Sequence, residues 1–121
     1  ADHIILFYPL WLGTLPAYLQ AFFEQVFRPG FAFDRPQEGN NKWKKHLEGK
    51  TAHIVVTMGM PAFVYRWFYC AHGLKSFKRN VLAFCGIKTI RESLIGSVED
   101  KNGTARENWL SAMHKAGFEG V

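Results

Sequence analysis

Two rhythms of apolar residues divide the chain. Ile4, Ile5, Leu6 and Phe7 follow one another without a polar break, and Ile54, Val55 and Val56 do so within the β-branched stretch Thr51–Thr57. Short continuous runs of this kind, bounded by turn residues, predict strands buried on both faces. Leu15, Leu19, Phe22, Phe23, Val26 and Phe27 instead recur at helical spacing and predict one broad helix face. Thr14 is the expected N-cap, Pro16 sits in the first turn where its missing N–H has no partner to lose, and Arg28-Pro29-Gly30 stops the helix. Leu74, Phe77, Val81 and Leu82 mark a second helix closed by Gly86, and Thr89–Gly96 alternates more, as an edge strand would. Thr104-Ala105-Arg106-Glu107 reads as a capping box for a last helix, with Ala105, Trp109, Ala112, Met113 and Ala116 on its apolar face and its end at Gly117. The segment from Phe31 to Lys50 is rich in charge, Pro, Gly and Asn around Trp43 and Leu47, and is expected to be an excursion with one short helical turn. Strand and helix thus alternate three times, which with right-handed crossovers makes an α/β domain with a parallel sheet and helices on both faces.

Composition narrows the class. At 121 residues, 48% hydrophobic and 21% charged, the chain has the make-up of one globular domain, residues 1–121. It has no apolar run near the roughly 20 residues of a membrane span, and its start lacks the pattern of a signal peptide, so a cytoplasmic protein is expected. Cys70 and Cys85 lack Cys-x-x-Cys spacing and are expected to be free thiols, so that any redox chemistry is not thiol chemistry. The net charge of +5 is scattered, with no nucleic-acid motif, so no nucleic-acid partner is expected; the charge would favour anionic substrates in general.

The first strand empties into Tyr8-Pro9-Leu10-Trp11-Leu12-Gly13-Thr14-Leu15-Pro16, and the second into Met58-Gly59-Met60-Pro61-Ala62-Phe63-Val64-Tyr65. In open α/β sheets ligands sit beyond the carboxyl ends of the strands, where both loops lie. Periodicity alone would make Tyr8, Leu10, Trp11 and Leu12 packing residues at a strand–helix corner. A glycine at position 59 would let the backbone approach a flat ring closely. His72 ahead of a helix reads equally as a surface residue, and no other ligand lies at metal spacing from it, so no metal site is expected. There is no Gly-x-Ser-x-Gly elbow and no paired-carboxylate constellation, which excludes the common hydrolase designs.

The order Pro-Leu-Trp, Gly-x-x-Pro-Ala and Phe-Phe-Glu-Gln-Val-Phe, followed by Thr57-Met58-Gly59, Tyr65, His72 and Phe84-Cys85-Gly86-Ile87, resembles the flavodoxin-like NAD(P)H:quinone reductases, the family of DT-diaphorase and of Kef-channel ancillary subunits. The resemblance implies a flavin, FMN or FAD, held by Pro9, Leu10, Trp11, Leu12, Thr57, Met58 and Gly59, with Tyr65 and His72 as the catalytic pair, NAD(P)H as co-substrate and a quinone as acceptor. It also implies a homodimer, with the excursion from Phe31 to Lys50 near its interface. Pro9, Leu10, Trp11, Leu12, Thr57, Gly59 and Tyr65 are expected in one cleft. Three strands match the family's third to fifth, and the chain opens directly on a strand with no phosphate loop. A flavodoxin-like domain lacking its first βαβ unit is therefore expected, as a fragment or from a gene truncated at its 5′ end. A non-catalytic, flavin-free interaction module is the alternative.

Overall fold

The computed structural model describes residues 1–99 and 102–121. Strand β1 (His3–Pro9), β4 (Thr51–Thr57) and β5 (Lys88–Ile95) form a three-stranded parallel sheet in the order β1-β4-β5, with β2 (Phe33–Asp34) and β3 (Lys44–Lys45) as a separate antiparallel pair. The β-branched run sets β4 to the residue. Its register is direct with β1, whereas against β5 it slips between Ala52 and His53, leaving Ile90 as an extra residue in the edge strand. Helix α1 (Ala17–Val26) follows β1; α2 (His72–Ser76), a π-helical stretch Phe77–Leu82 and α3 (Ala83–Cys85) form one run into β5; α4 (Gly103–Glu119) follows β5. The sheet is flanked by helices, as expected for a flavodoxin-like α/β fold.

One hydrophobic core fills the face of the sheet that meets α1 and the run 72–85. Ala52, Ile54 and Val56 of the central strand pack there with Tyr8, Phe23, Leu74, Phe77 and Leu82. On the opposite face, over which α4 lies, Val55 and His53 are buried, but Ile5 and Phe7 are 41% and 56% exposed. The apolar run of β1 is therefore covered on one face, because the elements beside an edge strand, and not its own composition, decide how much of it is sealed.

Several local expectations give way to tertiary contacts. Thr14 does not cap α1: its N–H and C=O pair with Trp11 across a two-residue turn, and Pro16 takes the cap position, its carbonyl accepting the first helical bond from Gln20 N–H. The expected helical turn in the excursion is instead the β2–β3 pair, since extended backbone lets Phe33 and Trp43 meet each other and Phe84 in three edge-to-face contacts. Asn102, not Thr104, caps α4: its Oδ1 accepts the Ala105 N–H at 2.9 Å. Gly117 stays helical, and α4 ends at Gly120, whose φ of 69° supplies the left-handed stop.

Candidate functional site

The carboxyl ends of β1, β4 and β5 support a rim of three loops. The loop after β1 is tied to β4 where Leu10 N–H donates to the Thr57 carbonyl at 2.7 Å. It then reverses at Leu12-Gly13, whose φ values of 49° and 79° make the tight hairpin turn closed by Trp11 and Thr14. The loop after β4 is tied to the segment after β5: Met58 N–H donates to Ile95 C=O, Ser97 N–H to Met60 C=O, and Val98 N–H to Met58 C=O. Two glycines make these approaches possible. A Cβ on Gly73 would strike the Gly13 carbonyl oxygen, and a Cβ on Gly96 would strike the Ala62 nitrogen.

Gly59 differs from both. Its φ is not left-handed and a Cβ there would meet nothing within 4 Å, so no internal contact requires glycine. The Gly59 and Met60 N–H groups form no hydrogen bond among the described residues. A flat ring laid on this stretch of backbone is compatible with that opening.

Among the described residues, strain is confined to the rim: the four non-glycine residues with positive φ are Leu12, Cys70, Ala71 and Ser97, one in the loop after β1, two at the entry to α2 and one after β5. Such conformations cost of order 1–3 kcal/mol each and persist where the surroundings over-determine them, commonly at functional sites. The tight closures at Gly13–Gly73 and Gly96–Ala62 are those surroundings.

The structure brings some of the predicted residues together and separates others. Pro9 pairs with Thr57 in the sheet, and Leu10 bonds to Thr57, so these three adjoin. Trp11 is 61% exposed and, with Leu12, Thr14, Leu15 and Gln20, lines a cavity of about 420 Å³ on the α1 side of the loop. Thr57 opens instead into a second cavity of about 220 Å³ with Phe7, Ile95, Trp109 and Met113, under α4. Met58 buries its side chain in the core and offers only backbone to the rim. Leu12 is fully exposed, at the tip of its turn.

Tyr65 lies inside the core, 2% exposed, and does not line the expected cleft. A π-helical turn over Val64–Phe68, unforeseen in the sequence, rotates it inward, and its hydroxyl accepts the Leu74 N–H at 3.1 Å. Burial raises the pKa of this hydroxyl, an effect partly offset by the Leu74 bond, so the group is neutral at ordinary pH. Burial also raises the pKa of Tyr8, with Tyr65 as a further cause. His72 is exposed at the start of α2, immediately after the strained Cys70-Ala71 pair. Tyr69, three residues before it, is the exposed phenol of this loop. The Cys85 thiol is buried, which raises its pKa, although Lys45 opposes the shift.

The sequence signal for the strained pairs was weak, because only Gly13 announces a left-handed turn; Ala71 and Ser97 carry no such mark. No group of three or more metal-ligating side chains occurs among the described residues, and none of the helices is long and apolar enough to cross a membrane.

The family described as having a flavodoxin-like fold matches residues 1–116. Human ribosyldihydronicotinamide dehydrogenase [quinone] is 31% identical over 117 residues, covering 85% of this chain and 47% of its own length. The chain thus spans about half the length of that curated relative. The crystal structure of Smu.1420 from Streptococcus mutans superposes with a TM-score of 0.78 at 30% identity, over 99% of this chain and 60% of that one. General stress protein 14 from Treponema denticola, solved in complex with FMN, shares the fold with a TM-score of 0.65 at 20% identity, over 88% of this chain and 57% of its own. With its parallel sheet, flanking helices and rim of loops, the chain belongs to the family with the flavodoxin-like fold.

Proposed function

We propose that this chain carries the flavin-facing half of an NAD(P)H:quinone oxidoreductase. The observation that carries the reading is the rim itself: all four left-handed non-glycine residues of the described chain lie in the loops after β1 and β5 and at the entry to α2, and Gly59 in the loop after β4 is unobstructed. A flavin bound there would accept hydride from NAD(P)H and pass it to a quinone. The chain's own residues would bind and orient: the backbone of Thr57, Met58 and Gly59 would lie along the ring, and the Leu12-Gly13 turn would hold the loop that carries the exposed Trp11 indole. The quinone reductase names of the relatives and the FMN of the Treponema neighbour agree with this reading.

Within it, His72 is the group placed to hold or give a proton at its imidazole. Tyr65 acts by positioning, because its hydroxyl fixes Leu74 N–H and hence the first turn of α2 that carries His72. The exposed apolar side chains of α1, Tyr18 and Phe22, together with Phe63, Trp67 and Phe68 of the second loop, support a homodimer that would cover them. The open face of β1 and the buried Tyr65 hydroxyl favour the second reading, a flavin-free interaction module.

An absorbance spectrum of the purified protein mixed with FMN, and separately with FAD, decides between them. Bound flavin, followed by quinone-dependent NADPH oxidation, is the expected result. Protein that retains neither flavin after gel filtration would overturn the oxidoreductase reading for this chain. Gly59→Val should weaken flavin binding about tenfold or more by placing a branched side chain where the ring lies, while leaving thermal stability unchanged. Equal flavin affinity in the variant would remove Gly59 from the site.

A further inference from the structure

At the opposite end of the sheet, where β5 begins, a groove of about 500 Å³ separates the helical run 72–85 from the strand. Lys75 of α2, Lys78 and Arg79 of the π-helical stretch, and Lys88 of β5 line it, while Ala83 and Ile87 give it apolar surface. The volume falls within the range of small-molecule sites. Lys75, Arg79 and Lys88 are exposed, and no ion pair engages them among the described residues. Lys78 alone has a counter-charge, Glu92. Four cations against one carboxylate leave the groove at +3, a large share of the chain's net charge of +5.

This convergence differs from an ordinary solvated helix face in two ways. The cations come from two elements, a helix and a strand, and point into one concavity. Lys75 and Arg79 also stand four apart on one helical run, a like-charge spacing that destabilises a helix unless an anion intervenes. An arginine fork and two flexible ammonium groups around a pocket suit phosphate oxygens, the fork binding two at once and the lysines acting as point charges. A charge of +3 matches an anion with two or three phosphates better than a single phosphate of about −1.5 to −2.

We propose that this groove binds a small anion bearing two or more phosphate groups, with the phosphates across Lys75, Arg79 and Lys88 and any organic portion against Ala83 and Ile87. The groove runs along the helical stretch toward the start of β5 and shares no lining residue with the two cavities at the rim, so it can be occupied whether or not flavin is bound there.

Isothermal titration of the full chain with tripolyphosphate at low salt tests the proposal, with ADP and pyrophosphate as a matched pair. One-to-one binding is expected, weakened about tenfold or more in the triple variant Lys75→Gln/Arg79→Gln/Lys88→Gln, because each removed partner takes away a charge-assisted bond. The control Lys42→Gln/Lys44→Gln/Lys115→Gln removes the same net charge from other surfaces and should bind as the parent does. Circular dichroism of both variants confirms that these exposed substitutions leave the fold intact. Tighter binding of ADP than of pyrophosphate would assign the apolar surface to a nucleoside; equal binding would assign the site to inorganic polyphosphate. No binding by the parent chain, or equal loss in the two triple variants, would overturn the proposal.

Discussion

On the face of the sheet that meets α1 and the run 72–85, Tyr8, Ala52, Ile54 and Val56 are sealed against helices; on the face that meets α4, Ile5 and Phe7 stand half open, Phe7 lining a cavity of about 220 Å³. The first face is held mainly by apolar burial, with the Tyr65 hydroxyl–Leu74 N–H bond enclosed in it. The second is held at its centre by polar contacts: His53 is fully buried, its Nδ1–H donates to the Val121 carbonyl at 3.2 Å, and its Nε2 accepts the Ser93 hydroxyl at 2.9 Å. The Val121 oxygen can only accept, which fixes the neutral tautomer. An apolar face spreads its stabilisation over many contacts, whereas this one concentrates it in two bonds that tie the end of α4 to the central and edge strands.

The largest expected effect is on the sealed face. Ile54→Ala should cost about 2–5 kcal/mol in a denaturant titration, from lost burial plus the cavity left behind. A loss below about 1 kcal/mol would mean that the face collapses freely and is not tightly packed.

His53→Leu should follow. It leaves the Ser93 hydroxyl and the Val121 carbonyl without their partner and should cost about 1–3 kcal/mol. Ser93→Ala should cost a comparable amount, and the double variant less than the sum of the two, since both remove one interaction. Strict additivity would show that the His53–Ser93 bond contributes nothing.

The same histidine gives the comparison a pH dependence. Burial lowers the folded-state pKa of His53 below its ordinary value of 6.5; the Val121 carbonyl pulls it back in part, and the charges of Arg91 and His3 lower it further. The unfolded chain therefore binds a proton at a higher pH than the folded one does. The His53 contribution is complete above about pH 6.5 and is lost as pH falls through that value toward the lower folded pKa. The stability difference between the parent and His53→Leu should shrink from pH 7.5 to 5, as read by thermal unfolding at matched ionic strength. A constant difference across that range would break the assignment.

The smallest effect belongs to the open face. Phe7→Thr puts a β-branched residue with high strand preference in place of an exposed ring, so it should change stability by no more than about 0.5 kcal/mol. A loss like that of Ile54→Ala would show that Phe7 is covered in solution.

Much of this molecule is local in origin. The β-branched run between two glycines determined β4 to the residue, the spacing of Leu19, Phe23 and Phe27 determined the buried side of α1, and the strand-loop-helix order determined an α/β domain with a parallel sheet and a rim of loops, to which the motif resemblance added the flavodoxin-like kind. These properties follow from backbone period and burial within one segment. The tertiary structure decided what depends on partners distant in sequence. It chose Asn102 over Thr104 as the cap, because both offer an oxygen and only the path of the entering chain selects one. It left β1 open on one face, since sealing an apolar strand needs another element above it. It turned Tyr65 into the core through a single π-helical turn, a change of hydrogen-bond register that rotates the ring away from the rim and leaves no trace in the apolar pattern.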